Sequence, residues 1–189
     1  RGDTGLVSSW SSDVCSSDLG RFHEINEHGC RLLVNFEDYH DTGIYLDHRP
    51  LRLRLQREAK GKRFLNLFCY TASASAHAAI GGATQTVSVD MSNTYLEWGE
   101  RNLRLNNFRS QLIDRPAPGS LPKHALLRAD CRDWLRSQSE NTVALQFDLI
   151  LLDTPPFSTS KRMDGTPDSN PHQRTLILAT PKRPPPNAP

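Results

Sequence analysis

Phe64-Leu65-Asn66-Leu67-Phe68 runs into Cys69-Tyr70-Thr71-Ala72-Ser73-Ala74-Ser75, and the change of pattern within this stretch decides the fold. Five mostly apolar residues without strict alternation suit a strand buried on both faces. The small and polar residues after them turn directly into a helical pattern over residues 73–80. The same alternation repeats downstream, with strands over 86–89, 125–127 and 147–152 and helices over 93–105 and 130–137. Strand and helix in regular succession predict an α/β domain with a mostly parallel, Rossmann-like sheet covered on both faces. Residues 109–123 interrupt the pattern with Pro116, Pro118, Gly119 and Pro122 and read as an exposed loop.

Upstream, residues 22–25 and 31–36 suggest two strands joined by the turn Asn26-Glu27-His28-Gly29, an N-terminal β-hairpin. Residues 49–60 carry Pro50 near a first helical turn and Leu51, Leu55 and Ala59 at intervals of four, a helix that Gly61 closes. Both ends of the chain differ from this. Ser8 to Leu19 is rich in serine and aperiodic, and Trp10 to Leu19 coincides with the in-frame translation of a sequencing adapter, so residues 1–19 are expected to lie outside the fold. From Asp164 the apolar periodicity stops and prolines crowd the remainder, which reads as an irregular tail in which 175–179 can form at most a short strand or helical turn. The expected organisation is a tail (1–19), a hairpin and covering segment (20–48), a truncated core (49–163) and a proline-rich tail (164–189).

The 189 residues suffice for one α/β core, and a formal net charge of +2 does not by itself indicate a nucleic-acid partner. No apolar run approaches the length of a membrane span, and no leader pattern opens the chain, so a cytoplasmic protein is expected. Cys30, Cys69 and Cys131 are widely separated, without a Cys-x-x-Cys pair, which argues against a metal site and a disulfide framework.

In open α/β sheets ligands bind beyond the carboxyl ends of the strands. After the first core strand, the Gly-x-Gly-x-x-Gly of dinucleotide binders is missing. A ligand without phosphates is expected there, with an amino-acid moiety using exposed amides. The second strand ends in Val89-Asp90, 24 residues after Asn66, where a carboxylate can accept hydrogen bonds from a ribose diol or cap the next helix. Ala129-Asp130-Cys131 offers the same choice, an acceptor for an adenine amino group or a helix cap. The fourth strand ends in Asp153-Thr154-Pro155-Pro156-Phe157, a rigid loop with unpaired carbonyls and an aromatic ring suited to holding a flat base.

These four strand ends resemble, in order, the cofactor and catalytic motifs of class I S-adenosylmethionine-dependent methyltransferases. The phrases Phe22-His23-Glu24-Ile25-Asn26-Glu27-His28-Gly29, Asp41-Thr42-Gly43-Ile44-Tyr45-Leu46-Asp47-His48-Arg49 and Phe157-Ser158-Thr159-Ser160-Lys161-Arg162-Met163 resemble the guanine-N7-methylating domain of the bifunctional bacterial 23S ribosomal RNA methyltransferase K/L family. The resemblance covers about residues 20–163. It implies a class I methyltransferase fold whose later strands and helices are missing, S-adenosylmethionine as cofactor and 23S ribosomal RNA as partner, with no membrane and no metal. The family's second methyltransferase and RNA-binding modules have no counterpart in this chain. Where the family has Asp-Pro-Pro-Thr-Phe-Ser, this chain has Asp153-Thr154-Pro155-Pro156-Phe157-Ser158, with the proline pair moved along by one residue.

By that resemblance Asn66, Phe68, Tyr70, Thr71 and Ala72 form the methionine pocket, Asp90 and Met91 hold the ribose, and Asp130 and Cys131 the adenine. Asp153, Pro155, Pro156 and Phe157 place the guanine. Asp47 and Arg49 lie on a segment that covers the cofactor. Guanine N7 has an in-plane lone pair and no proton, so no residue is assigned as a proton acceptor. Residues 49–63 carry seven basic side chains against Glu58 alone, and Arg52 among them, with Lys161 and Arg162, is a candidate RNA contact. The competing readings are an inactive RNA- or cofactor-binding fragment and a DNA adenine methyltransferase. A nicotinamide oxidoreductase lacks its glycine fingerprint here.

Overall fold

A computed structural model describes residues 21–114, 121–140 and 145–154, and the backbone of 174–178. β1 (Phe22–Glu27) and β2 (Cys30–Asn35) pair antiparallel across His28 and Gly29. Both turn residues have positive φ, 52° and 81°, the pattern of a type I′ turn whose twist matches that of the strands. The strands therefore run closer to the turn than the sequence suggests, and Asn26 Oδ1 accepts from the Gly29 amide at 3.1 Å.

A 3-10 turn (Leu46–His48) leads into α1 (Arg49–Glu58), which has its proline in the first turn. The core alternates as β3 (Arg63–Leu67), α2 (Ser73–Ile80), β4 (Gln85–Asp90), α3 (Asn93–Leu105), β5 (Gln111–Asp114), β6 (His124–Arg128), α4 (Cys131–Glu140), β7 (Leu149–Asp153) and β8 (Arg174–Leu178). The sheet order is β5-β6-β4-β3-β7-β8, with β8 alone antiparallel to its neighbour. One strand, β5, modifies the sequence reading, whereas β8 falls where the sequence allows a short strand. β5 falls inside the stretch read as a loop, and β8 pairs along β7 within the stretch read as an irregular tail.

Both faces of the sheet are buried, as parallel strands require. On one face Leu65, Leu67, Val87, Val89, Ala125 and Leu127 pack with Cys131 and Trp134 of α4. On the other, Leu126 packs with Leu96 and Leu103 of α3, with Ala76 and Ala79 of α2, and with Leu32 and Val34 of the hairpin. Leu96 and Leu103 lie two turns apart on one face of α3 and are wholly buried, each stabilising the fold by roughly 1.5–3 kcal/mol.

The hairpin is held by polar groups of α3 that stand in for a neighbouring strand. Asn102 Oδ1 accepts from the Leu33 amide at 2.8 Å, Trp98 Nε1 donates to the Leu33 carbonyl at 3.1 Å, and Asn106 Oδ1 accepts from the Arg31 amide at 2.9 Å. The edge of β2 is thereby satisfied without a third strand.

Candidate functional site

Strand order reverses between β3 and β7, because the chain passes from β3 to β4 on one side and returns to β7 on the other. That reversal opens a crevice at the carboxyl ends of the strands. Phe68, Asp90, Ala129 and Asp153 follow or close four neighbouring strands there, since Leu67 is in register with both Val89 and Leu152, and Asp90 with Arg128.

The loop after β3 makes its tight turn without glycine. Phe68, Tyr70 and Ala72 adopt φ of 56°, 52° and 52°. Side chains rarely take this left-handed region, at a cost of order 1–3 kcal/mol each, and such residues cluster where function fixes the backbone. Interior bonds fix it here. The Phe68 amide donates to Cys131 Sγ at 3.2 Å, Cys69 to the Val89 carbonyl at 3.1 Å, Tyr70 to Asp90 Oδ2 at 3.0 Å, and Ala72 to the Cys69 carbonyl at 2.8 Å. The expectation that these amides face a ligand is therefore corrected, because the fold itself uses them.

Asn66, Thr71 and Ala72 are buried. Asn66 Nδ2 donates to Ser75 Oγ at 3.0 Å, and Thr71 Oγ1 donates to the Gly43 carbonyl at 2.6 Å. Their part is to shape the loop, leaving the half-buried Phe68 and Tyr70 at its surface.

Asp90 is half-buried at the end of β4, with Oδ1 accepting from the Ser92 amide at 2.9 Å. Ser92, not Asp90, is the N-cap of α3, accepting from the Tyr95 amide at 3.3 Å. Burial raises the Asp90 carboxyl above its ordinary value, against the opposing pull of the Ser92, Tyr70 and Met91 amides. Asp130 does cap its helix, since Oδ1 accepts from Arg132 at 2.8 Å and Asp133 at 3.1 Å. Met91, 62% exposed, lines an open cavity with Asp130, Ala129, Arg128 and Asp114. Cys131 is buried beneath it, with its thiol pushed up to about 12 by burial. It therefore stays protonated and donates to the Val89 carbonyl at 3.4 Å while accepting from Phe68. It ties strand ends together rather than touching a ligand.

Across the crevice lies the covering segment. Gly43, at φ 87°, packs so close to Trp98 that a Cβ would run into the indole, so only glycine fits. Its amide donates to Tyr70 Oη at 2.9 Å. His48 Nδ1 stands 3.6 Å from Asp153 Oδ2, joining the segment to the end of β7. The rings of Tyr45, Tyr70 and Tyr95 follow one another at 5.2 and 4.5 Å, and Tyr95 Oη donates to Asp41 Oδ2 at 3.2 Å. Asp47 and Arg49 are exposed beside this group, Arg49 Nε lying 3.7 Å from Glu27 Oε2.

Arg52 requires a second correction. It is 1% exposed and held bidentately by Glu27 at 2.6 and 2.9 Å, so it cannot reach a phosphate. Its remaining reach goes to the Tyr45 carbonyl, at 2.8 Å. Pro155, Pro156, Phe157, Lys161 and Arg162 lie outside the described residues, as does the stretch 1–19. Sequence reasoning missed Tyr45, Tyr95 and His48. For Tyr45 and His48 the signal available was the alternation of large aromatic and acidic residues between Tyr39 and His48, whereas nothing in the helical pattern around Tyr95 marked that residue.

An open cavity next to the half-buried Asp90 thus lies beyond the carboxyl ends of the strands, where sheets of this order hold ligands. The family model for S-adenosylmethionine-dependent methyltransferases matches residues 8–161. The chain belongs to this family. Its cofactor is S-adenosylmethionine. The chain is 52% identical over 166 residues to the ribosomal RNA large subunit methyltransferase K/L of Saccharophagus degradans and 51% identical over 164 residues to that of Allochromatium vinosum. These matches take in 88% and 87% of this methyltransferase chain but only 20% of each relative. Among solved structures, a methyltransferase complexed with SAH superposes with a TM-score of 0.64 at 32% identity, over 75% of this chain and 34% of that one. A SAM-dependent methyltransferase from Streptococcus mutans does so with a TM-score of 0.62 at 32% identity, over 77% and 36%. Among the described residues no cluster of His, Cys, Asp or Glu suits a metal ion, and no helix is long and apolar enough to cross a membrane.

Proposed function

We propose that this chain is the cofactor-binding part of a cytoplasmic methyltransferase that acts on N7 of a guanine in 23S ribosomal RNA. The observation that carries the reading is the juxtaposition at the sheet reversal. Asp153 ends the strand next to β3, and the loop leaving β3 bonds directly to Asp90. Asp90 on β4 and Asp153 on β7 thus flank β3, two strand spacings or about 10 Å apart, with the loop leaving β3 between them. The similarity to the K/L relatives supplies the RNA substrate.

On this reading Asp90 would hold the ribose diol through its remaining lone pairs, and Met91 and Asp130 would line the adenine site. The cofactor, when bound, would supply an electrophilic methyl group for the N7 lone pair, the electrons of the sulfur–carbon bond staying on sulfur. No proton moves, so the protein's task is to position the two partners and to exclude water. Phe68 and Tyr70 close the crevice floor, and Asp153, braced by His48, starts the loop Thr154-Pro155-Pro156-Phe157 that places the base. Arg49, Arg54, Arg57 and Lys60 are the exposed cations of this region and take over the phosphate contacts first sought at Arg52, together with Lys161 and Arg162.

The test is to incubate the chain with radiolabelled S-adenosylmethionine and protein-free 23S ribosomal RNA, then cleave the RNA chemically at 7-methylguanosine. Label that co-migrates with cleavage supports the reading. Label without cleavage overturns the N7 assignment. Transfer to DNA in preference to RNA would favour a DNA methyltransferase, and calorimetric binding of S-adenosylhomocysteine without any transfer a cofactor-binding fragment.

A further inference from the structure

Tyr45 is an aromatic residue with 45% of its surface open to solvent, yet it is tightly placed. Its ring is backed by Tyr70 at 5.2 Å and His48 at 5.5 Å, and Tyr70 by Tyr95 at 4.5 Å. Its carbonyl is gripped by Arg52, whose other donors are spent on the buried Glu27. The ring is thus kept at the surface by two aromatic neighbours, Tyr70 and His48, with Tyr95 behind Tyr70, and by a buried ion pair that fixes its backbone.

The position is specific. On one side Tyr70 carries its amide to Asp90, the ribose-side carboxylate. On the other, His48 reaches Asp153 at the start of the base loop. Tyr45 therefore touches both the residue bonded to Asp90 and the residue beside Asp153. The neighbouring Leu46, 75% exposed, adds apolar surface.

We propose that Tyr45 is a specificity-determining residue of the methyl transfer, an aromatic platform on which the target base stacks after leaving the RNA helix. The proposal rests on the RNA-methyltransferase reading above and adds to it the residue that receives the base. Single-stranded or splayed bases are held by stacking on aromatic side chains, and base chemistry requires the base to be out of its stack. The Glu27–Arg52 pair acts as a positioning device, fixing the backbone from which the ring projects.

The experiment uses the full chain saturated with S-adenosylhomocysteine and titrated with a short single-stranded RNA carrying 2-aminopurine, whose fluorescence falls when the base stacks. The unmodified protein and Tyr45→Phe should quench the probe alike. Tyr45→Leu, which keeps an apolar contact with Tyr70 but has no π face, should bind it roughly tenfold or more weakly. Affinity for S-adenosylhomocysteine should be the same in all three, and thermal melts confirm that each is folded. Equal quenching by Tyr45→Leu overturns the proposal while leaving the RNA reading intact. So does a loss confined to S-adenosylhomocysteine affinity, which would make Tyr45 a cofactor cover. If the unmodified protein binds S-adenosylhomocysteine but quenches no RNA probe, the RNA-substrate reading fails and the platform fails with it.

Discussion

Asp90 is asked to do two things at once. Its oxygens accept from the Tyr70 and Ser92 amides, which closes the loop after β3, and a carboxylate offers about four acceptor sites, so a ribose diol can be taken on as well. Asp90→Ala should weaken S-adenosylhomocysteine binding roughly tenfold or more, the loss expected for hydrogen bonds to a charged acceptor. Calorimetry on the folded variant checks this, and unchanged affinity would leave Asp90 with only its loop-closing part. The pH dependence has a defined sign. Burial raises the Asp90 carboxyl above 3.8, so the charged acceptor is lost, and binding weakens, from a pH above that value. Its contribution to folding runs the other way, being fully present below 3.8 and lost as pH rises through the folded value. A cofactor affinity that stayed constant down to pH 4 would argue against the diol contact.

At the scale of elements, the hairpin, α1 and the covering segment meet at one buried ion pair. Glu27 comes from β1 and Arg52 from α1, and Arg52 also holds the Tyr45 carbonyl. Burial pushes the Glu27 carboxyl up, but the hydrogen bonds and charge of Arg52, with His77 and Arg49, outweigh it and leave the group below its ordinary value. Removing one partner strands a buried charge, so Glu27→Leu or Arg52→Met alone should each cost about 3–5 kcal/mol. The double variant should cost far less than their sum, and urea titrations of the four proteins form the cycle. Additive losses would mean that the pair does not couple hairpin to helix. This junction also marks the limit of what the chain discloses before folding. α2 and α3 coincide with their sequence readings, because Ser73 and Asn93 begin uninterrupted helical patterns. β5 was hidden, since Gln111-Leu112-Ile113-Asp114 is short, sits at the sheet edge and is followed by prolines. The candidates at Phe68, Asp90, Asp130 and Asp153 do lie together at the carboxyl ends of neighbouring strands, but residue type could not tell a carboxylate that closes a loop from one that caps a helix. Asp130 turned out to cap a helix, and Arg52, one of seven basic residues spread over 49–63, turned out to be the buried one.

For the molecule as a whole, two histidines set the response to acid. His77 on α2 is buried between the hairpin and α1, with Nδ1 2.8 Å from Gln56 Oε1. Its Nε2 stands 3.3 Å from Glu27 Oε1, close enough to feel the charge but outside hydrogen-bond geometry. His124 on β6 is buried in the sheet, with Nδ1 2.9 Å from Thr86 Oγ1. Burial lowers both from 6.5 to about 4, and for His77 it outweighs the opposing pull of Glu27. Between these two values the unfolded chain binds protons that the folded chain refuses. Stability contributed by the neutral rings is therefore complete above pH 6.5 and is lost as pH falls toward 4, at roughly 1 kcal/mol per pH unit for each histidine. Glu27 adds to the loss below 4.5, where its depressed carboxyl begins to protonate in the unfolded chain, whereas Asp90 opposes it near the bottom of the range. Urea titrations at pH 7, 6, 5 and 4.5 should accordingly show a steepening fall. His77→Gln, which keeps a polar group facing Gln56 and carries no titrating proton, should remove about half of that slope whatever it does to stability at pH 7. A stability flat from pH 7 to 5 in the unmodified protein, or a slope unchanged in His77→Gln, would mean that these rings accept protons without unfolding, and that the interior between hairpin and sheet opens to water more readily than its packing implies.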